Sequence, residues 1–151
     1  MRQLRFVFVV LTLSIAVFAA ESPFSGTWKL NPSKGHPIQP AMKSSTAQID
    51  ADQENFKLKQ DFVDDKDQSS TAAFEAKFDG KDYPVNGDPN IDSVSVRRVN
   101  ERQLFVTFKK AGKVVGTNSI NVSKDGKTTT SNYTDHSEAK PKKGTYVYGK
   151  Q

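Results

Sequence analysis

Apolar residues recur at every second position in several stretches of the chain. Phe56, Leu58 and Phe62 alternate with charged residues, and the same spacing returns in 72–78 and 104–108. A period of two gives one buried face and one wet face, which is typical of antiparallel strands. The pattern predicts strands near 26–30, 44–50, 55–62, 70–78, 92–99, 102–109, 113–122, 127–134 and 144–149.

Short turn sequences separate these stretches. Asp79-Gly80, Asn86-Gly87, Ala111-Gly112 and Asp125-Gly126 can adopt the positive φ that tight hairpins require. Hairpin-linked strands favour an up-and-down order, and closure into a barrel removes their unpaired edges. We therefore expect an all-β fold, an antiparallel up-and-down β-barrel of about eight to ten strands. A two-sheet sandwich is the alternative.

The stretch from Asn31 to Lys43 interrupts the pattern. It holds Pro32, Pro37 and Pro40. Proline cannot donate to a sheet ladder and disfavours a helix, so this stretch is predicted to be an ordered loop that crosses one end of the barrel.

Residues 1–19 are predicted to be a secretory signal peptide. Arg2 and Arg5 precede a nearly continuous apolar run, and Val17-Phe18-Ala19 supplies small residues at the spacing that signal peptidase reads. We expect cleavage after Ala19 and a single mature domain, 20–151, that is secreted or periplasmic. An uncleaved anchor is the alternative.

Charge and composition indicate which classes of partner are not expected. The full chain carries a net charge of +5 and no cysteine. Without Arg2 and Arg5 the mature part has 20 basic and 17 acidic side chains, a net charge of +3. Such a balance gives no reason to expect nucleic acid as a partner. No run of 18 apolar residues occurs, so no membrane insertion of the mature protein is expected.

The two ends of the mature chain resemble one superfamily. The opening Phe24-Ser25-Gly26-Thr27-Trp28 resembles the Gly-x-Trp start of calycins, which include lipocalins and fatty-acid-binding proteins. Thr145 to Lys150 is similar to the last strand of fatty-acid-binding proteins. Phe78 to Val85 resembles a stretch of small secreted bacterial lipocalin-like proteins of unknown function. The resemblance implies a lipocalin-like barrel.

Three residues are predicted to have structural roles at one end of that barrel. Gly26 lets the chain bend as it enters the first strand. Trp28, the single tryptophan, is suited to closing the barrel end. Lys150, or an arginine, is expected to cover the indole ring as a cation.

The resemblance also points to a ligand site on the last strand. Fatty-acid-binding proteins hold the ligand carboxylate with an Arg-x-Tyr pair on that strand. Here Tyr148 matches the tyrosine, and Tyr146 stands in the place of the arginine. The helix-turn-helix lid of that family is replaced by the proline-rich stretch 31–43.

Arg98 is the candidate cation for such a site. It shares parity with Val94 and Val96, so a regular strand would direct it inward. Together with Tyr146 and Tyr148 it would form an anion or head-group site. The alternative is that Arg98 lies at the strand end and extends to solvent, or that a bulge reverses the parity. Phe74, Phe78 and Phe108 are predicted to contact the ligand, within an apolar lining of Phe56, Leu58, Phe62, Phe74, Phe78, Leu104, Val106, Phe108 and Ile120.

Catalytic and metal-binding signatures are not found in the sequence. No nucleophile elbow, phosphate-binding loop or dinucleotide fingerprint occurs. The acidic run from Asp88 to Asp92 lacks the glycine and the closing glutamate of a calcium loop. His36 and His136 are the only histidines, too few for a three-histidine zinc site. We expect no catalytic residue, no metal and no cofactor.

Three functions remain open at this point. The first is a secreted, non-catalytic protein that binds a small hydrophobic or amphipathic ligand inside the barrel. The second is a packed barrel of the cell envelope that acts as a protein-interaction or inhibitor module. The third is an enzyme of unknown class. A continuous cavity of a few hundred Å³ would favour the first of these over the second.

Overall fold

Residues 21–151 are described by the structure, a computed structural model, and they form ten strands and no helix. None of these residues belongs to a helix able to cross a membrane. The predicted signal peptide, 1–19, lies outside the described residues. The strands are β1 (Gly26–His36), β2 (Ser44–Ala51), β3 (Asn55–Val63), β4 (Ser69–Lys77), β5 (Tyr83–Asn86), β6 (Ser93–Asn100), β7 (Gln103–Lys110), β8 (Lys113–Val122), β9 (Thr128–Asp135) and β10 (Lys142–Lys150).

The strands form one closed barrel. Each strand pairs antiparallel with the next along the chain, and β1 pairs with β10 to complete the ring. This confirms the predicted antiparallel up-and-down barrel and excludes the sandwich. Odd-to-even connections therefore gather at one end of the barrel, and even-to-odd connections gather at the other end together with both chain termini.

The β1–β10 pairing contains an irregularity that the sequence analysis did not predict. Leu30 pairs with Tyr148, but the next pair along β1 is Gly35 with Tyr146. The extra residues of β1 make no ladder pair with either neighbour, so Pro32 has no hydrogen bond to lose. The prediction that the whole of 31–43 is a loop was therefore wrong for the part up to His36.

One further strand was missed. β5 has four residues, contains Pro84, and forms two ladder pairs with β4 and two with β6. Beyond β5, towards the even-to-odd end, a single bridge between Asp79 and Arg97 links the segment that follows β4 to β6. So short a strand carries too little alternation to be recognised in the sequence.

The end that carries the termini is closed by a packed core. Phe24, Trp28, Phe56 and Leu104 are at most 1% exposed there. The indole Nε1 of Trp28 donates a 2.8 Å hydrogen bond to the Phe24 carbonyl, which fixes the ring across the barrel end. Large buried side chains therefore fill the interior of the barrel at the closed end.

Alternation fails at one place in β8. The register shifts after Phe108, so that Phe108 pairs with Gly116 while Lys109 pairs with Val114. Val114 therefore faces solvent, 45% exposed, although its spacing to Ile120 predicts an inward side chain. A one-residue bulge exchanges the inward and outward faces of the strand, so the residues of β8 before the bulge lie on the opposite face from the one that their spacing predicts.

The irregular β1–β10 pairing leads to a stability prediction. Gly35 has a φ of +88°, and a Cβ there would overlap the carbonyl oxygen of Thr145. We expect Gly35→Ala to reduce the free energy of unfolding by about 2 kcal/mol or more, measured by urea denaturation. Gly149→Ala on the same strand pair is the control, because a Cβ there meets nothing within 4 Å and should cost less than about 0.5 kcal/mol. Equal losses in the two variants would contradict this account.

Candidate functional site

The barrel encloses a cavity of about 300 Å³ that extends from its centre to the odd-to-even end. This volume lies at the lower limit of the range seen for small-molecule sites and equals the space of about ten water molecules. Its lining comes from seven strands and two loops: Met42, Phe56, Leu58, Gln60, Phe62, Ala72, Phe74, Val85, Asp88, Ile91, Val106, Phe108, Asn118, Ile120, Ser131, Tyr133, Tyr146 and Tyr148.

One wall of the cavity is apolar. The inward side chains of β3, β4 and β5 supply aromatic and aliphatic groups, and β7 continues them. Phe56 and Phe74 lie with ring centroids 5.9 Å apart. Ala72 leaves open the space that a larger residue would fill. Apart from Gln60 on β3, this wall offers contact to an apolar body and no hydrogen bond.

The wall formed by β8, β9 and β10, which faces β3–β5 across the ring, carries polar groups. Ser131 Oγ donates a 2.9 Å hydrogen bond to Asn118 Oδ1. Gln60 Nε2, on the other side, donates to Ser45 Oγ at 2.8 Å and lies 3.4 Å from the Tyr148 hydroxyl. These partners hold the polar side chains in fixed positions around the cavity.

Three tyrosines dominate this polar wall. Tyr133 is on β9, and Tyr146 and Tyr148 are on β10, where Tyr146 pairs with Ser131, two residues from Tyr133. Burial raises the pKa of Tyr133 to about 12, with nearby Asp135 and the Tyr146 phenol adding to the effect. Burial also raises the pKa values of Tyr146 and Tyr148. All three phenols are therefore protonated hydrogen-bond donors at neutral pH.

The open end is partly covered by the β1–β2 connection. The backbone N–H of Ile38 donates to the Tyr146 hydroxyl at 3.2 Å, and Met42 lines the cavity. Asp88, in the β5–β6 connection, is the one ionisable lining residue other than the tyrosines. The mouth thus has one negative group and no positive one among the lining residues.

The structure places the predicted ligand residues in two separate regions. Phe74, Phe108, Tyr146 and Tyr148 line the cavity. Phe78 does not, because it lies at the closed end with its ring centroid 6.0 Å from that of Phe56. Of the wider predicted lining, Leu104 likewise belongs to the closed end.

Arg98 is separated from the two tyrosines, and the predicted three-residue anion site does not form. The guanidinium lies 4.1 Å from the centroid of the Phe78 ring and donates a 2.6 Å hydrogen bond to the Asp52 carbonyl. Its parity was correctly assigned, since Arg98 pairs with the buried Leu104, but its long side chain extends over the closed end to solvent. The alternative of a cation at the strand end is the one that the structure supports.

The three residues with predicted structural roles lie together at the closed end. Gly26 has a φ of +126° where β1 begins. Trp28 is 1% exposed, and Lys150 Nζ lies 5.4 Å from the centroid of its ring. A Cβ at Gly26 would come within 2.7 Å of Lys150 Cε, so the glycine also leaves room for the covering cation.

Several lining residues were not found by sequence reasoning. Gln60, Asn118, Ser131 and Tyr133 are polar, so they did not register in a search for alternating apolar positions. Gly116 does not line the cavity, but it makes space for the Tyr133 ring, because a Cβ there would lie 2.8 Å from Cζ of Tyr133. A glycine inside a strand, far from any turn, is the signal that could have indicated this close approach.

The other polar regions of the described residues are weaker candidates for a functional site. A groove of about 710 Å³ at the closed end is larger than the interior cavity, but exposed charged loops line it, including Asp52, Glu54, Arg98 and Arg102. Among residues 21–151 no group of three potential metal-ligating side chains comes together. The interior cavity is the better candidate because it lies inside the barrel and combines an apolar wall with converging polar groups.

Comparison with known proteins does not extend the assignment. No protein-family model matches the chain, and no curated protein is significantly similar to it. The class that the structure defines is a closed ten-stranded antiparallel β-barrel, which is compatible with a calycin-like fold.

The raised tyrosine pKa values predict a pH dependence of stability. An unfolded tyrosine ionises near pH 10, whereas Tyr133 in the folded protein does so near 12. As pH rises above about 10, the unfolded state loses its protons first, so the free energy of unfolding falls. Tyr133→Phe removes this contribution, and its urea midpoint should decline less steeply than that of the wild type between about pH 9 and pH 12. An identical dependence of the urea midpoint on pH in the two proteins would show that burial does not raise the pKa of Tyr133.

Proposed function

We propose that this protein binds a small hydrophobic or amphipathic molecule inside its barrel and has no catalytic role. The observation that carries this proposal is the continuous cavity of about 300 Å³ with one apolar and one hydrogen-bonding wall. A barrel that served only as a packed interaction module would gain stability by filling this space with side chains. The open cavity therefore supports ligand carriage over the interaction module.

The composition of the cavity supports a binding role over an enzymatic one. Its lining holds no histidine, lysine, arginine or glutamate, and the one carboxylate, Asp88, lies at the mouth. The tyrosines have pKa values above their ordinary range, which makes them weaker acids and not poised proton donors. Such a lining can hold and orient a ligand.

Two alanines on β4 allow a matched test. Ala72 lines the cavity, and Ala73, the next residue, lies on the outer face. The probe is N-phenyl-1-naphthylamine, a neutral dye that fluoresces when it enters an apolar site. We expect Ala72→Phe to weaken its binding about tenfold or more, because the added ring fills the ligand space, while Ala73→Phe leaves the affinity within about twofold.

Thermal melts of both variants serve as the folding control. Failure of the wild type to bind the dye would contradict the proposal. So would equal binding by the wild type and a folded Ala72→Phe variant, because the dye would then be held outside the barrel.

We further propose that the mature protein is exported to the periplasm or the medium. The support is the charged and apolar composition of residues 1–19. The intact mass of the protein isolated from the extracytoplasmic fraction of its host is expected to correspond to a chain that begins at Ala20. A mass that includes Met1, recovered from the cytoplasm, would overturn this proposal.

A further inference from the structure

We propose that the ligand of this cavity is electrically neutral and carries a carbonyl-type oxygen, which accepts hydrogen bonds from the hydroxyls of Tyr133 and Tyr146. This inference rests on the proposed function and names the chemical class of ligand for the same cavity. It departs from capture of a carboxylate by an arginine, because Arg98 lies at the other end of the barrel.

The first step is the supply of unused donors. Within residues 21–151 the Tyr133 hydroxyl makes no hydrogen bond, and the Tyr146 hydroxyl accepts one from Ile38 N–H but donates to no acceptor. The Tyr148 hydroxyl, deeper in the barrel, is already engaged by the side chains of Ser45 and Gln60, so the inference rests on Tyr133 and Tyr146. Each phenol has a single O–H to give, so the polar wall presents donors that a ligand oxygen can satisfy.

The second step is the position of these donors opposite an apolar surface. Tyr133 and Tyr146 lie on neighbouring strands at positions two residues apart in register, so both phenols face the same part of the cavity. The Tyr133 ring packs against Phe108, with centroids 6.0 Å apart, and Gly116 gives the ring its space. A ligand with an apolar body against β3–β5 would direct its oxygen towards β9 and β10.

The third step excludes a charged head group. No lysine, arginine or histidine lines the cavity, and the one charged lining residue, Asp88, is negative. A buried carboxylate without a cation pays a desolvation cost that hydroxyl donors only partly offset. Burial raises the pKa of Tyr133, and the charges of Asp135 and Asp88 add to the shift, which reflects the same resistance to negative charge at this wall. An anionic ligand would therefore bind more weakly than a neutral one of the same shape.

Three naphthalenes of nearly the same shape separate these possibilities. 2-Acetylnaphthalene is a neutral ketone, 2-isopropenylnaphthalene replaces its oxygen with a methylene group, and 2-naphthoate replaces its methyl group with a charged oxygen. Their affinities for the wild type and for Tyr133→Phe, Tyr146→Phe and Tyr83→Phe are measured by calorimetry at neutral pH. Tyr83→Phe is the matched control, because the Tyr83 hydroxyl donates to Asp79 outside the cavity.

The ketone is expected to bind about fivefold more weakly to Tyr133→Phe and to Tyr146→Phe than to the wild type, since each variant loses one hydrogen bond. The alkene should change by less than about twofold in both variants, and Tyr83→Phe should leave both ligands unaffected. The naphthoate should bind the wild type at least about tenfold more weakly than the ketone.

The outcomes distinguish this inference from the proposed function. Binding of N-phenyl-1-naphthylamine together with ketone affinities that neither phenylalanine variant changes would overturn the inference and leave ligand carriage intact. Tighter binding of naphthoate than of the ketone would do the same. Failure of the dye and of all three naphthalenes to bind the wild type would overturn both.

Discussion

Pairing of the first and last strands is the interaction on which the rest of the structure depends. Without β1 against β10, the sheet would present two unpaired edges and its inward face would have no interior to enclose. The ladder from Trp28–Lys150 to Leu30–Tyr148 closes the packed end. Beyond this ladder the register shifts, and pairing resumes at Gly35–Tyr146, so that the barrel is also closed at its open-mouthed end. The same pairing that completes the barrel therefore positions the two tyrosines of β10 at the cavity.

A barrel of this kind divides its interior between stability and binding. Towards the termini, Trp28, Phe56 and Leu104 fill the space and supply a core that a chain without disulfides needs. Towards the other end, Ala72 leaves room for the cavity, Gly116 makes space for the Tyr133 ring, and hydroxyl and amide groups join the lining. Among the described residues, the hydroxyls of Tyr133 and Tyr146 there donate to no acceptor, which leaves them free for a ligand.

The sequence predicted the barrel because strand alternation and hairpin turns are local properties that survive in almost every segment. It failed where the outcome depended on one inserted residue or on the path that a long side chain takes. Val114 faces outward because of a bulge. Arg98 pairs with the buried Leu104, but its side chain extends past Phe78 to the Asp52 carbonyl at the closed end. Tyr133 was missed for a different reason. β9 holds almost no apolar residue, so its inward face cannot be recognised from hydrophobicity alone.

The central claim is that a ligand lies inside the barrel between an apolar and a tyrosine-bearing wall. The most direct measurement is a set of intermolecular nuclear Overhauser effects between bound N-phenyl-1-naphthylamine and the isotope-labelled protein. The account predicts contacts from the dye to the ring protons of Phe74 and Phe108 on one side and of Tyr133 and Tyr146 on the other. Contacts confined to exposed side chains such as Val99, which is 57% exposed, would contradict it.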